Sequence, residues 1–515
     1  MNTSIPTILK RLGPSLTSDV IAEMVKSGLS PTAARQRVTR SQPEYIRLAG
    51  IRFSKNARFI YLPEQFGTRD YWEGLERAFY KAGKSYWGAF VALRSRGGAC
   101  PANLFPTISG VPQSRKGQLS PDRIKERLSA IQLIKETNDE VLGAYVEFVP
   151  LVLGKANTNK IQALLIAENV ALFGIKEWAR RIGFGSFGKF ALRGDDTPPV
   201  VASMTWDLSA PSYFRPLLRV TEGKVRPGFM VCDINLCDVV GKDAVEAFVR
   251  KCDLASALPS IPPIMPILVG QVFSEEGFSF AKQKGILAVT TKSLFGEAIS
   301  KALDDLIKLM TDTGATVAMN PAHLEKVMKG LTAIEGAANN IRGSLFEFVV
   351  GSLVKDVEDG YLKIAEKKLH PQSGRYAEID VYLDRGNEKG VLVVECKSKL
   401  ANARVGLEEV QKWYSDRVPL IYNILSSDGT YNDKHFRFEI WSNGPFNDDA
   451  LQWLETQPLK FPHYSFGWRD GAQLKTYADK AKASSLRKIL NEHYFHHPLI
   501  RRQRKKEGNV ATTPP

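Results

Sequence analysis

Two acids and a lysine stand on a pair of strand-forming segments in the last third of this chain. The first runs Glu378, Ile379, Asp380, Val381, Tyr382, Leu383, and the second runs Val391, Leu392, Val393, Val394, Glu395, Cys396, Lys397. The polar turn between them, Arg385 to Gly390, is centred between Asn387 and Glu388, so an antiparallel hairpin about that centre places Asp380 opposite Glu395. Lys397 lies two positions beyond Glu395, and alternation along a strand brings all three polar heads to one face. Two carboxylates, helped by the carbonyl of Cys396, suit one or two Mg²⁺ ions, hard cations that take oxygen ligands. Such an ion polarises a phosphodiester and acidifies water, while a lysine orients that water or balances developing charge. The cation also lowers the cost of burying two acids together. Val391 to Val394 is apolar on both faces, the mark of a strand covered on both sides. Charges at the end of such a strand point to a functional site rather than to solubility.

The elements needed to position these groups are legible around them. Upstream, Arg342 to Gly351 predicts a helix with Leu345, Phe346, Val349, Val350 and Leu353 as its apolar stripe and Glu347 as its acid. Downstream, Glu408 to Tyr414 predicts a helix carrying Gln411, and Leu420–Leu425 and Phe436–Trp441 predict two further strands. In this order the segments resemble the PD-(D/E)xK nuclease superfamily, the restriction-endonuclease-like fold, over roughly residues 335–460. The resemblance implies an αβββαβ core and a Mg²⁺-dependent phosphodiester hydrolase in which Mn²⁺ can substitute. It implies Asp380 and Glu395 as metal ligands, Glu347 as a ligand directly or through water, Lys397 as the group that aligns the water, and Gln411 as an assisting residue. One departure from the family's name is that Ile379, not proline, precedes Asp380.

The 515 residues are enough for several domains, and the composition is that of a globular protein. A net charge of +15 and a pI near 9.4 favour polyanionic partners, through phosphate neutralisation and counterion release. Five cysteines (Cys100, Cys232, Cys237, Cys252, Cys396) show no zinc spacing and predict reduced thiols, hence a reducing cytoplasm. No signal peptide is evident at the N-terminus and no run approaches the roughly 20 apolar residues of a membrane span, so no membrane role is expected.

Residues 1–68 carry the punctuation of a winged helix-turn-helix. Ile5–Leu12 predicts a helix. A second begins at Thr17 with Val20, Ile21, Met24 and Val25 inside, and a third begins at Pro31 and carries Arg35, Arg37 and Arg40. Tyr45–Leu48 and Arg58–Leu62 predict the wing. In this motif the third helix enters the major groove of double-stranded DNA, where arginine reads guanine edges. Residues 69–153 are expected to repeat the plan more loosely, with helices over Tyr71–Gly83, Trp87–Arg94 and Ser120–Lys135 and a β segment over Val141–Val152. A basic loop there includes Arg115 and Lys116.

Residues 154–303 predict a central α/β domain ending β-α-β over Pro263–Val272, Ser274–Lys284 and Gly285–Thr290. That ending resembles the back half of the same nuclease fold, as a degenerate copy: Asp207 and Asp233 are its acids, and Asp233, Ile234, Asn235 lacks the lysine. Gly183, Gly185 and Gly188 match GxGxxG but follow a helix, so they predict a loop and no dinucleotide site. Residues 304–340 predict a helical connector, 341–498 the nuclease domain, and 499–515 a basic disordered tail. A metal site is conceivable at His493, His496 and His497, although a surface helix end accounts for them. The whole is a multidomain α/β (α+β) chain whose modular layout resembles restriction or antiphage-defence endonucleases. A double-strand cut from one site per chain implies a homodimer. Two alternatives stay open: a DNA-binding member of a defence or repair complex whose nuclease is latent until a partner or ligand arrives, and an RNA-cleaving effector.

Overall fold

The computed structural model describes residues 4–495 apart from 41–43, 140–141, 187, 222–223, 258–260, 313–320, 332–336, 371–373, 400–402, 428–430 and 432–433. The expected basic tail, His496 and His497 therefore lie outside the described residues, as does part of the expected connector. The fold is mixed α/β with several sheets. It forms two compact units, residues 1–138, 144–161 and 175–294 in the first and residues 139–143, 162–174 and 295–515 in the second.

The first unit opens with α1 (Ile5–Leu12), β1 (Ser15–Leu16), α2 (Thr17–Lys26), α3 (Pro31–Arg40), β2 (Ile46–Arg47) and β3 (Phe59–Tyr61). Val20 and Met24 are buried, and Ile21 and Val25 pack against the same core, as the helical spacing predicts. Next come α4 (Arg69–Ala82), α5 (Lys84–Arg94), β4 (Ala99–Pro101), α6 (Phe105–Ile108), α7 (Pro121–Ala130), β5 (Ile134–Asp139), β6 (Gly143–Phe148) and α8 (Pro150–Leu153). Both sheets place their last strand in the middle, in the orders β1-β3-β2 and β4-β6-β5. The order helix, strand, helix, helix, strand, strand thus occurs twice in succession once α4 and α5 are taken together. Two expected boundaries move. The helix capped by Ser120 ends at Ala130, because Gln132 adopts a left-handed φ of 57° and the chain turns into β5. The β segment expected to reach Val152 stops at Phe148, where Pro150 starts a helical turn.

The chain continues through α9 (Thr158–Arg181), β7 (Ala191–Leu192), the hairpin β8 (Val200–Val201) and β9 (Met204–Thr205), β10 (Leu208–Ser212), the hairpin β11 (Arg219–Thr221) and β12 (Lys224–Arg226), and β13 (Gly228–Val240). The β8–β9 hairpin turns at Ala202 and Ser203, both at positive φ. Then follow α10 (Lys242–Ser256), β14 (Ile264–Phe273), α11 (Glu275–Gln283), β15 (Leu287–Thr290), α12 (Thr291–Phe295) and α13 (Glu297–Asp312). The glycine-rich segment after α9 is a loop in its described residues.

The second unit contains α14 (Pro321–Leu331), α15 (Ala337–Glu358), β16 (Tyr361–Leu369), β17 (Tyr376–Asp384), β18 (Val391–Lys397), α16 (Leu407–Lys412), α17 (Val418–Ser426), β19 (Phe436–Ser442), α18 (Asp448–Thr456), β20 (Tyr464–Arg469), α19 (Gly471–Ala478) and α20 (Ser484–Ile489). Leu420–Leu425, expected as a strand, lies inside α17. Pro419 starts that helix, and Val418, Ile421, Ile424 and Leu425 bury one helical face. The sheet runs β16-β17-β18-β19-β20, with the first two pairings antiparallel and the last two parallel. The β7-β10-β13-β14-β15 sheet of the first unit has the same succession of antiparallel, antiparallel, parallel, parallel.

Val391 to Val394 are fully buried at the centre of the C-terminal sheet. Val391 and Val393 pack with Trp413, Ile421 and Phe438, while α15 lies against β16, β17 and β18. A Cβ on Gly351 would come 2.5 Å from Ile364 Cδ1, so glycine permits α15 to approach β16 closely. Among the described residues no helix is long and apolar enough to cross a membrane.

Candidate active site

The hairpin of β17 and β18 has the register predicted from its turn: Asp384 pairs with Val391 and Val381 with Val394, which sets Asp380 across from Glu395. Gly390 makes the turn possible. It sits at φ 67°, and a Cβ there would lie 2.1 Å from the His435 carbonyl oxygen. At Asp380 the ladder gives way to a side-chain bond, in which the amide of Cys396 donates to Asp380 Oδ2 at 2.7 Å. This bond fixes one acid beside the strand that carries the other.

Glu395 is 2 % exposed. Lys397 Nζ donates to its Oε1 at 2.7 Å, and Arg417 Nη1 approaches the same carboxylate at 3.4 Å. Burial, and then the negative charge of Glu395, pushes Asp380 up to about 7. Glu347, half-buried on α15, rises well above the ordinary range through burial and then the charges of Asp380, Glu395 and Glu378. Glu347 thus belongs to the same electrostatic cluster. Burial depresses the Lys397 ammonium, but Glu395, Asp380 and Glu409 outweigh it, and its pKa ends above the ordinary value. Burial, Asp380, Glu347 and Glu395 together hold the Cys396 thiol neutral.

The donor set fits a hard divalent cation. Asp380, Glu395 and Glu347 set three acids against the two cations Lys397 and Arg417, and burial, then the charge of Glu395, raises Asp380 to about 7. Among the described residues no three His, Cys, Asp or Glu side chains group tightly enough to chelate an ion by themselves. An ion here would rest on Asp380, Glu395, a backbone carbonyl and water, with Glu347 standing behind them.

Gln411 lies on α16, half-buried, and its side chain makes no hydrogen bond among the described residues. The structure does not join it to the acids. Two features escaped the sequence reading. Arg417 reaches Glu395 because the helix widens into a π-helical turn over Trp413–Arg417, just before Pro419 removes an amide donor. Lys399 Nζ pairs with both oxygens of Glu409 at 2.8 and 2.7 Å, and its backbone is gripped by Asn443, tying α16 to the end of β18. A surface helix with mixed charges gives no sign of either contact.

The candidate nucleic-acid residues are placed unequally. Arg35, Arg37 and Arg40 are exposed on α3, and none forms an ion pair among the described residues. Lys116 is exposed, whereas Arg115 is half-buried and donates to the carbonyl of Leu254 at 2.7 Å. All five cysteines are free, four of them buried.

No family model matches the chain, and no curated protein matches it. Among solved structures the chain is similar to that of the restriction endonuclease FokI, at 10% identity, over 90% of this chain and 82% of that one, with a TM-score of 0.19. A likeness at that score carries no argument about fold or activity.

Proposed function

We propose that this chain is a metal-dependent DNA endonuclease of the PD-(D/E)xK type. The observation that carries this reading is the convergence of Asp380, Glu395 and Lys397 at the end of a central strand, with the acids in register and the lysine on the same face. Asp380 and Glu395, with the Cys396 carbonyl, would hold Mg²⁺, for which Mn²⁺ can substitute, and Glu347 would bind it directly or through water. The ion supplies Lewis acidity toward a phosphodiester oxygen and toward water. Lys397 positions the attacking water and balances the charge that grows on phosphorus-bound oxygens. Glu395 steadies the Lys397 ammonium, and Arg417 adds a second cation on the same side. Gln411 is assigned an assisting role by family resemblance alone.

The paired helix and strand units at the N-terminus support two winged-helix modules, with Arg35, Arg37 and Arg40 of α3 facing the major groove of double-stranded DNA and Lys116 adding phosphate affinity. A double-strand cut requires a homodimer or two successive events. Restriction or antiphage defence, with or without a partner from such a system, is the setting this layout suggests.

One observation favours the second reading, a nuclease latent until a partner or ligand arrives. Glu395 is already met by both Lys397 and Arg417, so loading a metal requires those cations to adjust. The test is incubation of the protein and its Lys397→Ala variant with supercoiled plasmid, single-stranded DNA and RNA, in Mg²⁺, Mn²⁺ or EDTA. Metal-dependent DNA fragments absent from the variant support the endonuclease. Cleavage that survives in the variant overturns the role of Lys397, and DNA binding without cleavage in either protein favours latency.

A further inference from the structure

The central sheet repeats more than the strand pattern of the C-terminal one. In the β10–β13 pairing Leu208 lies opposite Cys232, which sets Asp207 across from Asp233 as Asp380 is set across from Glu395. The amide after the second acid then makes the same bond: Ile234 donates to Asp207 Oδ2 at 2.9 Å, where Cys396 donates to Asp380 Oδ2 at 2.7 Å. By this register Asn235 occupies the position of Lys397. The helix that follows each strand carries a cation back to the second acid, Lys251 from α10 in one case and Arg417 from the π-turn in the other.

The surroundings differ in one respect, which is the supply of internal cations. Asp207, fully buried, meets Arg193 at 3.2 Å and Arg96 at 3.7 Å, and Asp233 meets Lys251 at 2.5 Å. Lys251, 2 % exposed, also donates to the carbonyl of Thr107 at 3.0 Å and stands over the Trp206 ring. Arg96 donates to the Ile234 carbonyl. Asn235 Nδ2 donates to both the carbonyl and the hydroxyl of Ser95, at 3.2 and 3.1 Å. Two arginines and a lysine thus surround two carboxylates, with Ser95 and Arg96 just after α5 and Thr107 on α6 among the contacting residues. The remaining cavity is about 60 Å³. Arg96, Lys251 and Asn235 line it together with both acids.

We propose that the central sheet is a second copy of the C-terminal architecture whose acid pair has become an internal ionic clamp, Asp207 and Asp233 held by Arg96, Arg193 and Lys251, with Asn235 gripping Ser95. Its function is to seat residues 84–110, and with them the second helix and strand unit, on the sheet. The central region is then a platform for the nucleic-acid-facing modules and not a second place of cleavage. Ion pairs from α5 to α10, Lys84 with Glu246 and Arg94 with Asp243, continue the same attachment at the surface. The contrast with a metal-holding site rests on the function proposed above. The clamp does not.

The test uses the full chain and five variants: Asp233→Asn, Lys251→Met, the two combined, Asn235→Ala, and Asp380→Asn. Thermal unfolding is followed in EDTA and in Mg²⁺, and Mn²⁺ binding is counted by the resonance of the free ion. Asp233→Asn and Lys251→Met should each lower the melting temperature equally with and without Mg²⁺, and the combined variant should lose less than the sum. Asp233→Asn should bind as many Mn²⁺ ions as the unchanged protein. The mild variant Asn235→Ala should speed amide exchange across residues 84–110, a readout available even if the charge variants fail to fold. Loss of a bound Mn²⁺ in Asp233→Asn, or unaltered exchange across residues 84–110 in Asn235→Ala, would overturn the clamp. Undiminished Mn²⁺ binding in Asp380→Asn would instead overturn the metal reading of the C-terminal site and leave the clamp standing.

Discussion

Asp380 accepts the amide of Cys396 at 2.7 Å, so the acid of one strand is bonded to the backbone between the acid and the lysine of the next. The site is therefore rigid at its most charged point. A bond of this kind needs only an acceptor, whereas a metal needs the negative charge. Asp380→Asn keeps an oxygen at that place and removes the charge, and Asp380→Ala removes both. Both variants should lose metal-dependent cleavage, while only the alanine variant should lose protection of the Cys396 amide in hydrogen exchange. Cleavage retained by Asp380→Asn would remove Asp380 from the ligand set.

The same substitution tests the electrostatic reading through stability. Asp380 is raised to about 7 by burial and by Glu395, above the ~3.9 of an unfolded aspartate. Between those values the folded state keeps a proton that the unfolded state has released. The stabilisation is complete below about pH 4 and is lost as pH rises through about 7. In EDTA, Asp380→Asn should therefore be more stable than the unchanged protein at pH 8, by roughly 1–3 kcal/mol, and much closer to it at pH 5. Mg²⁺ should stabilise the unchanged protein and not the variant. Denaturant unfolding at the two pH values decides it, and an Asp380→Asn curve that falls below the unchanged protein at pH 8 contradicts the assignment.

The register of this hairpin was legible because turn centre and strand alternation leave one pairing that buries Val391 and Val393 and gathers the three polar heads. The stripe of α15 was legible for the same reason, through its helical spacing. The run Leu420–Leu425 was not, since an unbroken apolar segment of that length suits either a strand or a helix; Pro419 was the signal that favours the helix. Along β20 the alternation of Tyr464, Phe466 and Trp468 is the trace of a strand, but it spans only six residues. Nothing local announces that Arg96, Arg193 and Lys251 converge on Asp207 and Asp233, because long-range ion pairs leave no periodic trace. Arg417 was hidden differently: its facing depends on a π-turn that shifts the helix by part of a turn.

Arg417 stands 3.4 Å from Glu395 without being its shortest partner. A cation placed there competes with a metal for the carboxylate before substrate arrives, and can stabilise phosphate charge afterwards. Arg417→Gln should tighten Mn²⁺ binding several-fold and lower the cleavage rate at saturating metal by roughly 10²-fold. Metal titration and single-turnover cleavage measure the two effects separately. Weaker metal binding would show that Arg417 merely braces Glu395.

The proposed mechanism gives Lys397 more of the chemistry, as the ammonium closest to Glu395 and one held charged by three acids. Lys397→Ala should reduce cleavage by roughly 10²–10⁴-fold while DNA affinity stays within about threefold, since the bulk of that affinity comes from phosphate contacts elsewhere. Lys397→Arg keeps the charge but not the point geometry and should recover only part of the rate. Gel-shift and cleavage assays on one preparation separate these outcomes.

The arginines of α3 invite the opposite experiment, in which affinity moves and chemistry does not. Arg35, Arg37 and Arg40 are exposed, with Ala34 and Val38 of the same helix turned into the core, so alanine at the arginines leaves the packing intact. If α3 lies in the major groove, each substitution weakens double-stranded DNA binding. An arginine on a phosphate lowers affinity for all sequences and reduces the salt slope by about one. An arginine on a guanine edge instead relaxes preference at one base pair, by roughly 1–3 kcal/mol. Binding measured across a salt series and a library of sites tells the two apart. Three variants that bind as the unchanged protein does would take α3 off the DNA and leave the net charge of +15 to be explained by other surfaces.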